Sequence, residues 1–415
     1  MTIIKSHLNF RNILRVLNTK YSYATLILLL SINLKAQTDS SQFSNQKDIT
    51  DIICKVSRHF DFTERDTSNK NKHQFHLSIL PVIGYSIQTG IMGGITSIAT
   101  FVNNKHINAN ISNIMATLAY TEEKQTIAIL QPNIWTKNNT YNITGIIQYL
   151  KFPQDTYGLG GNSTFDDAND IDYQFFKVNL ALLKQIIPDF FAGLGYALDY
   201  HWNIKEQGIV TRATSDFKKY GLNNQSTSAG VTVNFLYDNR RNSINPKKGF
   251  YANIVYRPNF KLMGSDQNWE SLLLDFRKYV KFPAGSKNIL AFWNYNWLTL
   301  SGKPPYLDLP STGCDANNNI GRGYMQGRFT GLNMVYLETE YRFGLTKNGL
   351  LGGVVFLNSQ SFTNWPQNVF TSINPGYGCG IRLKINKHSN TNVAFDYGFG
   401  TKGSDGLFLN LCELF

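Results

Sequence analysis

From Phe75 to Phe415 the chain alternates apolar and polar residues with a period of two. Successive side chains of a strand point to opposite faces, so each such stretch makes a strand with one oily and one polar face. Phe176, Val178, Leu180 and Leu182 oppose Lys177, Asn179 and Ala181. Leu272, Leu274 and Phe276 oppose Ser271, Asp275 and Arg277, and Val393, Phe395, Tyr397 and Phe399 oppose Asn392, Ala394, Asp396 and Gly398. The polar faces carry small residues and single charges rather than dense Lys and Glu, which suits a packed polar interior better than a solvated face. In a soluble protein the oily face would be the core. In a membrane barrel it meets lipid and the polar face lines the lumen.

The connections separate these two readings. The pattern predicts about 16 strands of bilayer-crossing length. Numbered from the first strand, the long connections 152–171, 206–225, 302–330 and 362–375 are all odd. The even ones are tight, as at Asn104-Lys105-His106, Pro188 and Lys347-Asn348; residues 239–248 are the exception. Long loops on one rim and tight turns on the other is the asymmetry of an outer-membrane barrel, and a soluble sandwich has no reason for it. The fold class expected is therefore all-β, a transmembrane antiparallel β-barrel spanning 75–415. Leu407, Leu409, Leu411, Glu413 and Phe415 predict a last strand over 405–415, with Phe415 resembling the terminal aromatic recognition signal of outer-membrane proteins.

The first 36 residues carry Lys5, Arg11, Arg15, Lys20 and Lys35, no acid, and an apolar run from Tyr23 to Leu34. That is the layout of a secretory signal peptide, 1–36. Residues 37–74 read as a periplasmic segment in which Ile49, Ile52, Ile53, Val56 and Phe60 recur at helical spacing, which fits either a short amphipathic helix over Asp48 to His59 or a loosely ordered tether. Formal net charge is +12, and the basic residues are scattered, which suits an anionic membrane surface and argues against nucleic acid. Cys54, Cys314, Cys379 and Cys412 match no zinc or thioredoxin spacing; a disulfide after export stays open.

The stretch Ile320 to Phe343 holds the most information. Gly321-Arg322-Gly323-Tyr324 ends a long polar loop, and an alternating strand follows with Glu338, Glu340 and Arg342 on its polar face. This stretch, with Asp238-Asn239-Arg240-Arg241-Asn242 and Asn245-Pro246-Lys247-Lys248-Gly249-Phe250-Tyr251, resembles the barrel domain of the BamA/TamA family (bacterial surface antigen family) in a short form lacking the periplasmic POTRA domains. The opening Leu80-Pro81-Val82-Ile83-Gly84-Tyr85-Ser86 is similar to that of short family members. The resemblance implies a barrel of about 16 strands whose sixth surface loop turns into the lumen, and a weak seam between first and last strands. Pro81 and Gly84 in the first strand fit that seam, since both weaken ladder pairing. It also implies that Arg322, with Gly323 and Tyr324, meets acidic groups on the wall. An arginine in a lumen needs a carboxylate to offset desolvation, and its fork suits bidentate pairing. Asp396 is the first choice, beside Gly378 and Gly380 that leave room for a loop; Glu338, Glu340 and Asp275 are alternatives.

No G-x-S-x-G, H-E-x-x-H or G-x-x-x-x-G-K-[ST] phosphate loop occurs. No catalytic residue, cofactor or metal ligand is assigned. His201 beside Trp202 is the one candidate for a membrane lipase and reads as a rim residue. The function implied is insertion or translocation of proteins or lipids at the outer membrane, with outer-membrane lipids, client outer-membrane proteins and periplasmic or lipoprotein partners. A passive channel and a surface lipase are the alternatives.

Overall fold

The computed structural model describes residues 46–48, 75–86, 90–101, 112–151, 154–206, 215–221, 223–240, 242–315, 318–387 and 390–415. The expected signal peptide, the helix beyond Asp48 and Cys54 lie outside the described residues. The remaining cysteines, Cys314, Cys379 and Cys412, are free thiols.

Among the described residues seventeen strands form one sheet. They are β1 His76–Ser86, β2 Gly90–Phe101, β3 Ser112–Thr121, β4 Thr126–Trp135, β5 Tyr141–Lys151 and β6 Gln154–Thr156. Then come β7 Asn169–Ile187, β8 Phe190–Glu206, β9 Gln225–Asp238, β10 Gly249–Asn259, β11 Trp269–Lys281 and β12 Ile289–Gly302. The last are β13 Met334–Gly344, β14 Leu351–Phe362, β15 Asn374–Asn386, β16 Thr391–Phe399 and β17 Asp405–Leu411. Each long strand pairs antiparallel with the next in sequence, and β5 with β7. β6 is a three-residue ribbon on the outer extension of β7, so the wall has sixteen long strands. β1 lies beside β17, yet no ladder joins them among the described residues.

Burial runs opposite to that of a soluble protein. Leu118, Leu337 and Leu357 on the outward face are 66%, 53% and 60% exposed, whereas Glu340 and Asp396 on the inward face are wholly buried. Along β13 the burial alternates residue by residue, with Met334, Tyr336, Glu338, Glu340 and Arg342 inside. Apolar groups that face outward on every strand need a hydrocarbon solvent, because leaving that much area in water forfeits about 25 cal/mol per Å².

The last strand ends earlier than the alternation predicts. Cys412 takes a left-handed φ of 80°, and the chain turns into the lumen. Phe415 is 3% exposed and stacks on Trp293 with ring centroids 5.0 Å apart. Arg342 donates to the Phe415 carbonyl at 3.0 Å. Phe415 therefore stands inside the barrel and not on a strand edge. The physical reason is that the lumen wall here is aromatic (Tyr279, Trp293, Tyr295, Tyr336), so Leu414 and Phe415 bury more area inward than on the ladder.

Both ends of the lumen are covered. At the loop end Ile171, Ile204, Phe217, Tyr220, Tyr306 and Leu309 form a small apolar core, to which a helix at Asp216–Gly221 contributes Phe217 and Tyr220. At the turn end, residues 242–248 cross the opening. Asn245 reaches the Asn390 carbonyl at 3.3 Å, and the Glu413 amide donates to the Ile244 carbonyl at 3.3 Å. This explains why that connection is the long exception on its rim. Lys47 and Asp48 dock on the same rim, through the Lys47 amide to Asn348 and the Lys387 amide to Asp48, each at 3.0 Å.

Candidate functional site

The connection between β12 and β13 folds inward, and its tip is the Gly321–Tyr324 turn. The Tyr324 amide donates to the Gly321 carbonyl at 2.9 Å. Gly323 sits at φ +101°, where side chains are rarely tolerated. It also lies backbone against backbone with Gly398 of β16: a Cβ on Gly398 would stand 2.6 Å from the Gly323 nitrogen. A side chain at either glycine would hold the tip off the wall. The Arg322 carbonyl accepts from the Asn358 side chain at 2.9 Å. Tyr324 fastens the far side: its hydroxyl donates to the Pro375 carbonyl at 2.6 Å and accepts from the Thr401 amide at 2.9 Å.

Arg322 is fully buried. Its Nη1 donates to Asp396 at 2.7 Å, and its Nη2 reaches both Glu338 and Glu340. Its guanidinium lies over the Phe356 ring, 3.7 Å from the centroid. The structure thus brings Arg322 together with Asp396, Glu338 and Glu340 at once. Asp275 instead pairs with Arg277 at 2.7 Å and accepts from the Trp293 indole at 2.9 Å. Gly378 and Gly380 serve the wall rather than the loop, making room for the Phe356 ring and the Asp396 carboxylate.

Two further arginines complete the cluster. Arg382 joins Asp396 to Glu413, the latter at 2.8 Å, and Arg342 donates to Glu340 at 2.7 Å. Three arginines thus face four carboxylates away from water, and Tyr336 donates its hydroxyl to Glu338. In such a setting each charge depends on its partners. Deleting one leaves the rest uncompensated, at about 3–5 kcal/mol.

Two other anchors of the same loop were not foreseen. Arg328, also fully buried, donates to the Ser163 hydroxyl and carbonyl, each at 2.8 Å, within a cage of Tyr157, Phe165 and Phe329 rings 4.8, 4.8 and 4.5 Å away. The sequence carries only a partial echo: Gly327-Arg328 repeats the glycine-arginine pair of the tip, with Phe329 where the tip has Gly323. On the opposite wall Asp308 accepts from the Ser228 hydroxyl at 2.5 Å, and its other oxygen lies 3.6 Å from His201. Burial, then nearby Asp199, pushes the Asp308 carboxyl up to about 7. His201 lies between the outward rings Tyr200 and Trp202, which stack 5.0 Å apart, and itself faces inward. It is buried in the lumen against the ring of Phe175, and the Ser228 hydroxyl is turned to Asp308 rather than to the imidazole.

Similar solved structures exist. BamA from Haemophilus ducreyi lacking POTRA domains 1–3 superposes with a TM-score of 0.54 at 16% identity, covering 82% of this chain and 70% of that one. CdiB from Acinetobacter baumannii gives 0.53 at 12%, covering 82% and 60%, and CdiB from Escherichia coli gives 0.54 at 9%, covering 83% and 67%. No protein-family model matches the sequence, and no curated protein matches it significantly. At these identities the likeness establishes a shared fold: the chain is an all-β barrel built like those of BamA and CdiB.

Proposed function

We propose that this chain is an outer-membrane barrel of the BamA/TamA type that inserts or translocates proteins or lipids at the outer membrane. The observation that carries this reading is the boundary between β1 and β17, where neighbouring strands share no ladder among the described residues while the other long strands are zipped along their length. A barrel opened along that line would join its interior to the bilayer sideways. The covered ends of the lumen weigh against a passive channel, which needs a continuous aqueous path. The Arg322 cluster fits the same reading, since it braces the wall of β13–β16 next to the unpaired edge. The partners are outer-membrane lipids, client outer-membrane proteins and a periplasmic or lipoprotein component. No cofactor, metal or catalytic residue enters the reading. Depleting the protein and quantifying outer-membrane proteins and lipids tests it. Loss of particular barrel proteins or a changed lipid composition is expected, and an unaltered membrane would count against assembly.

A further inference from the structure

The turn-end rim carries lysines that form no ion pair among the described residues. Lys247 and Lys248 lie on the connection that crosses the lumen, Lys281 and Lys287 flank the next one, Lys347 lies on the one after, and Lys278 stands near the base of β11. All six are exposed. Among the described residues none has a carboxylate within ion-pair distance. The acids of this end are engaged elsewhere: Asp238 with Arg240 at 2.8 Å, Glu413 with Arg382 at 2.8 Å, Asp48 with the Lys387 amide at 3.0 Å. Asp189 alone is left over among the described residues. The connections that carry Lys247, Lys281 and Lys287 are neighbours on this rim, since β10 pairs with β11 and β11 with β12.

Their depth is marked by neighbours. Phe282, 54% exposed, stands next to Lys281 and meets Tyr341 edge-on, and Tyr341 stacks on Phe343. Phe250 stacks on Phe276, with the Lys278 ammonium 5.8 Å from the Phe250 ring centroid. An outward aromatic belt marks the boundary between hydrocarbon and headgroups, so Lys278 and Lys281 stand beside that boundary, and Lys287 closes the same turn as Lys281. The loop end exposes charges of both signs, with Glu122, Glu123, Asp170 and Asp266 beside Lys124, Lys205, Lys261 and Lys303.

We propose that the turn-end lysine face, centred on Lys247, Lys281 and Lys287, binds the anionic headgroups of phospholipids in the leaflet at that rim. An ammonium on a long stem reaches a phosphate while its methylenes stay on apolar surface. A soluble polyanion would meet these charges less well, because headgroups occupy the plane in which they lie. The inference rests on the barrel fold and not on an assembly role.

The test is native mass spectrometry of the full chain refolded in micelles containing equal phosphatidylglycerol and phosphatidylcholine. Wild type is expected to retain phosphatidylglycerol about tenfold over phosphatidylcholine, and the preference should shrink in high salt. The triple variant K247Q/K281Q/K287Q should lose most of that preference, K247R/K281R/K287R should keep it, and the loop-end control K218Q/K219Q/K402Q should leave it unchanged. Heat-dependent gel migration verifies that each variant is folded. Equal retention of both lipids by wild type, a triple variant indistinguishable from wild type, or binding of heparin without lipid preference would overturn the proposal.

Discussion

One side chain, Arg322, ties four parts of the molecule together: the loop tip, β13, β16 and, through its carbonyl, β14. Replacing it with Ala leaves Glu338, Glu340 and Asp396 facing one another around an unfilled space. The expected loss is about 3–5 kcal/mol, read as a lower unfolding temperature in heat-modifiable gel migration, and Lys in its place should recover only part because it lacks the fork. An unchanged melting profile would mean that the loop tip is not held by charge. A second residue-scale prediction concerns Asp155 on β6, outside the membrane wall. Burial, together with a hydrogen bond to and the charge of Asp170, raises its carboxyl to about 7. The folded loop end therefore favours the protonated form. Its contribution is complete below the ordinary carboxylate range and is lost as pH rises through about 7. Hydrogen exchange at Thr156 and Tyr157, corrected for intrinsic pH dependence, should show falling protection between pH 5 and 8. Asp155→Asn should flatten that trend.

At the scale of elements the sequence was readable where the two faces of a strand contrast, and unreadable where they do not. The β9 and β10 boundaries follow the alternation closely because an oily face and a polar face meet different solvents there. β7 begins earlier than expected because Asn169 to Asp172 extend past the oily zone, where they pair with β6 and β8. The end of β17 was misplaced for the converse reason. Period-two alternation continues through Phe415, and periodicity does not reveal that this lumen has an aromatic wall ready to receive it. Arg322 was legible through the family resemblance, and its need for carboxylates narrowed the partners; the anchor at Arg328 was not, because its partner Ser163 sits in a loop without periodicity, and Asp308 was not, because nothing in a loop's sequence says which strand residues, here Ser228 and His201, it will meet. The seam makes an element-scale prediction. In detergent-refolded protein, amides of β1 and β17 should exchange faster than those of β7 and β8, whose neighbours pair on both sides. Equal protection around the barrel would argue for a closed ladder.

Over the whole molecule, oily faces turn outward, charges are sequestered around an inward loop, and lids lie at both rims. This arrangement has one direct electrical consequence. Current through the wild-type protein in a planar bilayer should be small and intermittent, because the loop and the 242–248 crossing obstruct the lumen. Excising residues 303–333 and bridging the gap with a short glycine-serine linker should produce a larger, steady conductance. A large, steady conductance from the intact protein, unaltered by the excision, would contradict a barrel filled by its own sixth loop.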